Sequence, residues 1–292
     1  MKLISFKKNP SAYFMLIPHL VFFSVFFLAP VCWCVYLSFF EYDLFENRFI
    51  LFQNYAQLIF RSPLFYKALK NTALFALIFT PLWLAKALII SALIQQYRLK
   101  IQTLFKAVFY LPHVTSAVVL SMVWLWIYNP EFGVLNYFLS LAGIEKIMWL
   151  GNPDIAIYSI ILMQILISGG ASIVLISASI SSIPNHIYDA AKIDGASKTR
   201  IFFKITLPLI KPVILYHIII GLIGSFQVFS NIYVMTKGGP QFSTLTVLYL
   251  IYETAFENYN FGLASAQSVI LALIICLISV FQFKFFGENI EY

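Results

Sequence analysis

Long apolar runs alternate with short polar segments along this chain, and the runs are long enough to cross a membrane as helices. A helix needs about 20 mainly apolar residues to span the hydrocarbon core. Six stretches qualify, at about 12–40, 73–94, 107–128, 155–180, 212–235 and 263–286. The segments between them carry Pro, Gly, Asn or clustered charges, which is typical of loops. The pattern predicts an all-α membrane protein, one domain over 1–292 with six transmembrane helices.

Composition supports a membrane protein and limits the possible chemistry. Apolar residues make up 61% of the chain and charged residues 11%, against about a quarter charged in soluble domains. Cys32, Cys34 and Cys276 lie in apolar runs. A Cys-x-Cys pair without nearby His or acidic partners is interpreted as packing rather than as a metal or redox site. No metal site and no catalytic residues are predicted.

The basic residues are distributed unequally between alternate loops, and this distribution predicts the orientation of the chain in the membrane. In a soluble protein the net charge of +7 would favour an anionic partner, but here membrane topology explains it and we expect no nucleic acid partner. With the N-terminus inside, the inner segments hold twelve Lys and Arg residues and the outer segments six, and Lys86 lies within a span. Both termini and the 181–211 loop are therefore predicted to be cytoplasmic.

The 181–211 loop has the signals of two short helices joined by a turn. Pro184 and Asn185 favour a helix start, and the first helix is predicted at 186–193. Gly195 permits a sharp reversal into a second helix at about 197–206. The apolar side chains of Phe202, Phe203 and Ile205 are expected to seat this second helix on the bundle.

Small residues in the first half of this loop would allow close approach of another protein. Ala190, Ala191 and Ala196 leave the backbone accessible, and the Asp189 carboxylate offers a contact for a basic group on a partner. An ordinary loop with two helical turns is the alternative interpretation. The combination of many residues at one spacing weighs against it.

That spacing resembles the "EAA" loop of permease subunits in binding-protein-dependent ABC importers. The family usually has Glu where this chain has Asp189, a shorter acid that keeps the negative charge. The resemblance implies the type I importer permease fold and a loop that couples the permease to an ATPase. The residues that carry this expectation are Asp189, Ala190, Ala191, Asp194, Gly195, Ala196, Ile205, Leu207 and Pro208.

The resemblance covers nearly the whole chain and is strongest to the sugar branch. Asn54-Tyr55, Asn71-Thr72, Trp149-Leu150 and Gly238-Gly239-Pro240 look like the maltose and glycerol-phosphate type of permease. It implies a multi-pass subunit of the prokaryotic plasma (inner) membrane that translocates a sugar, oligosaccharide or sugar-like solute. The implied partners are a homologous second permease, an ABC ATPase dimer, an extracytoplasmic solute-binding protein and membrane lipid.

ATP hydrolysis is expected on a separate subunit. The chain contains no Gly-x-x-x-x-Gly-Lys-Ser/Thr sequence, the device that cradles nucleotide phosphates. We therefore expect this chain to be no enzyme and to bind no cofactor, with ATP and Mg on the partner ATPase.

Polar side chains in the fourth and fifth spans are candidates for the solute path. Gln164 and Ser168 lie four residues apart on one helix face, and Ser225, Gln227 and Asn231 follow in the next span. Neutral amides and hydroxyls suit a polyol, and the family's binding positions lie in the same two spans. The alternative is helix packing through inter-helix hydrogen bonds.

The sequence alone leaves three points open. Lys86 is interpreted as snorkelling or bonding to a neighbouring helix, with steering of an anionic solute as the alternative. A peptide, polyamine or oxyanion cargo is also possible within the same machinery. An ATP-independent secondary transporter is the rival class, although no Asp or Glu lies in a predicted span core.

Overall fold

The computed structural model describes residues 10–43 and 47–287, and this part of the chain is mainly helical. Lys2, Lys7 and Lys8, which entered the charge count, lie outside the described residues. The helices are α1 (Pro10–Phe23), α2 (Ala29–Leu37), α3 (Gln53–Arg61), α4 (Pro63–Ile94), α5 (Leu99–Val114), α6 (Ala117–Ile127), α7 (Val134–Leu141), α8 (Ala156–Ile167), α9 (Gly170–Ser181), α10 (Asn185–Ile193), α11 (Lys198–Ile201), α12 (Leu207–Leu209), α13 (Lys211–Phe226), α14 (Ser230–Met235), α15 (Val247–Tyr252) and α16 (Phe261–Gly287). π-Helical turns occupy Ser24–Leu28, Phe202–Thr206 and Glu253–Glu257.

Within the described residues, four helical stretches are long and apolar enough to cross a membrane. They are Phe14–Leu37, Pro63–Ile94, Lys211–Met235 and Phe261–Lys284. Two further spans are bent helix pairs, α5 with α6 and α8 with α9. Counting each pair as one span gives six, in the order that the apolar runs predict.

Both bends have a local cause. The range 107–128, predicted as the third span, is divided at Thr115 and Ser116, whose extended ψ angles of 143° and 134° stop one helix before the next begins; α5 and α6 meet at 96°. The fourth span bends by 47° after Ser168. Gly169 has φ 101° there, a conformation that residues with a Cβ rarely adopt.

The chain divides into two compact units, the first formed by the described residues up to Ser62 together with Ile251–Ala272. In this unit β1 (Phe40–Tyr42) and β2 (Asn47–Phe49) pair antiparallel, with Glu41 opposite Arg48. Asn54 on α3 donates from Nδ2 to the carbonyl oxygens of Ser38 (3.0 Å) and Phe40 (2.9 Å). The Asn54 side chain thus fixes α3 against the hairpin.

The second unit comprises Pro63–Leu250 and the residues from Leu273 onward, and α4 is central to it. This helix packs against α8, α9 and α13, while α5 packs on α9 and α14 on α6. Ser91 donates to the carbonyl of Ile173 (3.1 Å), and Gln95 donates to the carbonyl of Ser177 (2.7 Å). Hydrogen bonds between helices replace water as partners for polar groups in a lipid environment.

The N-terminal end of α4 holds the loop that precedes α15. Asn71 donates from Nδ2 to the carbonyl oxygens of Phe242 (3.0 Å) and Leu245 (2.9 Å). Thr72 accepts a hydrogen bond from the amide of Val247 (2.9 Å). The Asn71-Thr72 pair therefore anchors a loop that lies more than 170 residues further along the chain.

Candidate functional site

A cavity of about 340 Å³ lies among α4, α5, α8, α9, α13 and α14 in the second unit. Its size is within the range of small-molecule pockets. The side chains predicted for a solute path all line it, and they are Gln164, Ser168, Ser225, Gln227 and Asn231. The structure thus brings together residues that lie in two different spans.

A hydrogen-bonded chain forms part of the cavity wall. Asn231 donates from Nδ2 to the Oε1 of Gln164, and Ser121 on α6 donates to the Oδ1 of Asn231 at 3.2 Å. Asn231 is buried, with 4% of its surface exposed, and both ends of its amide are used. Gln164 is half-buried, and its Nε2 has no acceptor among the described residues. Gln164 is therefore better placed than Asn231 to meet a ligand.

The other three predicted residues differ in their access to the cavity. Ser225 is buried, donates to the carbonyl of Gly221 at 2.6 Å and shares a 2.9 Å hydrogen bond with Thr80. Ser168 donates to the carbonyl of Gln164 and is half-buried. Gln227 ends α13 with an exposed side chain. Ser225 thus has a packing role, and Gln227 offers its amide to the cavity.

Aromatic residues form a part of the site that the sequence analysis missed. Phe75, Phe79 and Trp83 line the cavity from one face of α4. Their rings are stacked, with centroids 5.5 Å apart for the first pair and 6.0 Å for the second. Their spacing of four residues in the sequence was the available signal. Aromatic faces beside a few polar groups are common in ligand pockets.

Lys86 bonds to a neighbouring helix, as the sequence analysis favoured. Its Nζ donates to the carbonyl oxygens of Ile165 and Ser168, and lies 3.4 Å from that of Leu166. Lys86 is not among the residues that line the cavity. Its ammonium group is directed at the bend of the fourth span.

The 181–211 segment contains the predicted pair of helical elements. Helix α10 ends in a turn at Gly195, which has φ 74°. The amide of Ala196 donates to the carbonyl of Ala191 (2.9 Å) and that of Gly195 to the carbonyl of Lys192 (3.0 Å). This is the Schellman arrangement, which satisfies the last carbonyl groups of a helix. The Ser197 hydroxyl then caps the next helix by accepting from the amide of Arg200 at 3.3 Å.

The surface of this segment combines small, charged and apolar side chains. Of the predicted coupling residues, Ala191 is buried, Ala196, Ile205 and Leu207 are half-buried, and Asp189, Ala190, Asp194, Gly195 and Pro208 are exposed. Asp189 forms an exposed ion pair with Lys192 at 2.9 Å. Ile193, which the sequence analysis did not single out, is 87% exposed at the end of α10.

One expectation for the second helical element is wrong. Phe203 does not pack on the bundle, since 61% of its surface is exposed, while Phe202 and Ile205 are half-buried. The π-helical turn at Phe202–Thr206 changes the angular step between residues, so the apolar face expected for an α-helix is not kept. A cavity of about 660 Å³ lies beside this segment, lined by Gln95, Tyr188 and Lys192 among others.

These features define a class: a helical membrane protein with a cavity of aromatic and uncharged polar side chains among its spans and a structured loop beside them, as in a transport subunit. Residues 87–291 match the family described as the binding-protein-dependent transport system inner membrane component, and the chain belongs to this family. The family resemblance inferred from the sequence is thereby confirmed.

Individual relatives match over almost their whole length. The chain is 36% identical to the probable ABC transporter permease protein YurN of Bacillus subtilis, over 96% of this chain and 97% of that one. It is 33% identical to the sulfoquinovosyl glycerol transport system permease protein SmoG of Agrobacterium fabrum, over 92% and 88%. These matches make the chain a multi-pass membrane transport subunit.

Solved structures of one transporter share the fold. A crystal structure of a bacterial ABC transporter involved in the import of the acidic polysaccharide alginate matches with a TM-score of 0.82 and 25% identity, covering 96% of each chain. A structure of the alginate transporter in complex with alginate pentasaccharide-bound periplasmic protein matches with a TM-score of 0.79 and 26% identity, over 93% and 92%. The predicted all-α importer permease fold is confirmed.

Proposed function

We propose that this chain is the permease subunit of an ATP-driven importer, and that it translocates a sugar, oligosaccharide or sugar-like solute. A solute-binding protein on the extracytoplasmic side delivers the cargo, and a homologous second permease completes the path. A pair of ABC ATPase subunits, which hold ATP and Mg, docks on the 181–211 segment. The membrane is the prokaryotic inner membrane, with both termini cytoplasmic.

The chemistry of the cavity is the observation that carries the cargo class. Its lining among the described residues contains amides, hydroxyls, aromatic rings and one histidine, but no Asp, Glu, Lys or Arg. Sugar hydroxyls both donate and accept hydrogen bonds, and the amides of Gln164 and Gln227 can do the same. The cargo class also agrees with the sugar derivatives named for SmoG and the alginate transporter.

The coupling role rests on the shape and exposure of the 181–211 segment. Its small residue Ala190 and the turn at Gly195 leave the backbone open to close approach. The exposed Ile193 side chain adds an apolar contact that a partner can bury. Tyr188 on α10 shares a 3.3 Å hydrogen bond with Thr206. A displacement of α10 would therefore be transmitted to the π-helical turn at Phe202–Thr206, which precedes α12 and α13.

The test is uptake by the complete transporter in vesicles, with its cognate binding protein and a panel of labelled solutes. We expect ATP-dependent uptake of a neutral or weakly charged saccharide that requires the binding protein. Uptake of a peptide, polyamine or oxyanion alone would refute the cargo class. Uptake by this chain alone, without any ATPase, would refute the importer mechanism.

A further inference from the structure

The bend in the fourth span leaves backbone carbonyl groups without their usual helical partners. Helix α8 ends at Ile167, and Gly169 turns the chain before α9 begins. Among the described residues, no backbone amide serves the carbonyl oxygens of Ile165, Leu166 or Ser168. The last carbonyl groups of any helix lack intrahelical donors, and in a membrane there is little water to replace them.

The Lys86 ammonium supplies the missing donors. It donates to the carbonyl oxygens of Ile165 and Ser168 and lies 3.4 Å from that of Leu166. An ammonium group has three N–H donors, which matches these three acceptors. A positive charge is also favourable at the C-terminal end of a helix. Lys86 therefore acts as a side-chain cap for α8, contributed by α4.

This cap lies directly behind the cavity wall. Ser168 and Gly169, at the bend, both line the cavity, as does Trp83, one turn before Lys86 on α4. A Cβ atom added at Gly169 would lie 3.1 Å from the indole nitrogen of Trp83. The bend and the Trp83 ring are thus in near contact. A shift of the bend relative to α4 would therefore change the width of the cavity.

We propose that Lys86 is a positioning residue, which holds the bend of the fourth span against α4 and thereby sets the shape of the solute cavity. This proposal rests on the proposed function, which identifies the cavity as the solute site. It excludes direct capture of an anionic cargo by Lys86, because its ammonium group donates to backbone carbonyl oxygens and Lys86 itself does not line the cavity.

The test combines hydrogen exchange with uptake kinetics on the complete transporter. Lys86→Met removes the donors and the charge at similar length; Lys86→Gln keeps two donors, and Lys86→Arg keeps charge and donors. Lys70→Met is the matched control, since Lys70 is an exposed lysine on the same helix. In Lys86→Met we expect amide exchange over 165–173 to rise about tenfold and the KM for uptake to rise, with the maximal rate per assembled transporter nearly unchanged. Lys86→Arg should restore most of both values, and Lys86→Gln should be intermediate.

Two readouts keep the proposals separate. Unchanged exchange over 165–173 in both Lys86→Met and Lys86→Gln overturns the positioning role, whatever the KM. An equal rise in Lys70→Met also overturns it, because the effect would then be a general effect of lost charge. If exchange rises in Lys86→Met but KM is unchanged there and in Gln164→Ala, the cap stands and the cavity is not the solute site.

Discussion

The cavity and the 181–211 segment differ in how far apart along the chain the partners of many of their hydrogen bonds lie. In the cavity, Gln164 bonds to a residue 67 positions away, Ser121 to one 110 away and Thr80 to one 145 away. In the segment, the Asp189–Lys192 and Ser197–Arg200 contacts each span three positions. The cavity is therefore a product of the arrangement of spans, whereas the helix ends of the segment are shaped locally, and Lys198 links the segment to Gln96, 102 positions away, by a 3.3 Å hydrogen bond.

This difference agrees with the separate tasks proposed for the two regions. A locally stabilised segment keeps its shape when it is displaced, so a docking partner would move it as a body. A cavity whose walls come from distant spans changes shape when those spans shift. Under the proposed function, motion received at the segment would be converted into a change at the cavity, which is what alternating access requires.

The largest effect is expected from Gly221→Ala, which tests the dependence of the cavity on distant contacts. A Cβ atom at Gly221 would lie 2.6 Å from the ring of Trp83, so the variant overpacks the α4–α13 contact at a cost of about 1–3 kcal/mol. The thermal unfolding temperature of the purified transporter and the rate of solute uptake should both fall. Gly224→Ala is the control, because nothing lies within 4 Å of its added Cβ. Equal stability of the two variants would contradict the tight packing.

Gly195→Val tests the local shape of the segment. Valine at φ 74° costs about 1–2 kcal/mol. This cost lowers the population of the native turn after α10, relative to other turn conformations, by about five- to thirtyfold. We expect normal membrane insertion with loss of uptake and of transport-coupled ATP hydrolysis. Gly143→Val is a matched control, since Gly143 has φ 73° and equally open surroundings. If uptake and coupled hydrolysis persist in Gly195→Val, the coupling role is wrong.

Gln227→Ala tests which polar residues of the cavity meet the solute. Because the Gln227 side chain is exposed, its loss should remove about 0.5–1.5 kcal/mol of solute interaction and raise KM several-fold, with stability unchanged. Ser225→Ala is the comparison variant, as it breaks the buried contact with Thr80. It should lower thermal stability and leave KM nearly unchanged. The reverse pattern would exchange the roles of the two residues.

The smallest effect on stability is expected from Asp189→Asn. Its exposed ion pair with Lys192 contributes less than about 1 kcal/mol. Lys192→Gln breaks the same ion pair from the other side. If the Asp189 carboxylate contacts a basic group on the ATPase, only Asp189→Asn should reduce ATPase stimulation by the loaded binding protein. Equal behaviour of both variants would limit Asp189 to the local ion pair.

The sequence predicted best those features that depend on neighbouring residues. Apolar runs long enough to span lipid gave the order of the six spans, and Pro184, Gly195 and Ser197 marked the short helices of the 181–211 segment. It predicted poorly where an uncharged run continues through a change in backbone direction. The run through Thr115 and Ser116 contains no charge, yet the helix bends there by 96°. Hydropathy reports the length of an apolar run and is insensitive to such a bend.

The sequence by itself determined the class of protein, the apolar spans and the local form of the 181–211 segment, because hydropathy, capping and turn conformations act over a few residues. Only the tertiary structure determined which polar side chains are buried in hydrogen bonds to other helices and which remain exposed to the cavity. Gln164, Ser225, Gln227 and Asn231 are similar in sequence terms, yet Asn231 and Ser225 are buried in inter-helix hydrogen bonds. The tertiary structure also decided that Lys86 caps a broken helix, since its acceptors lie about 80 residues away.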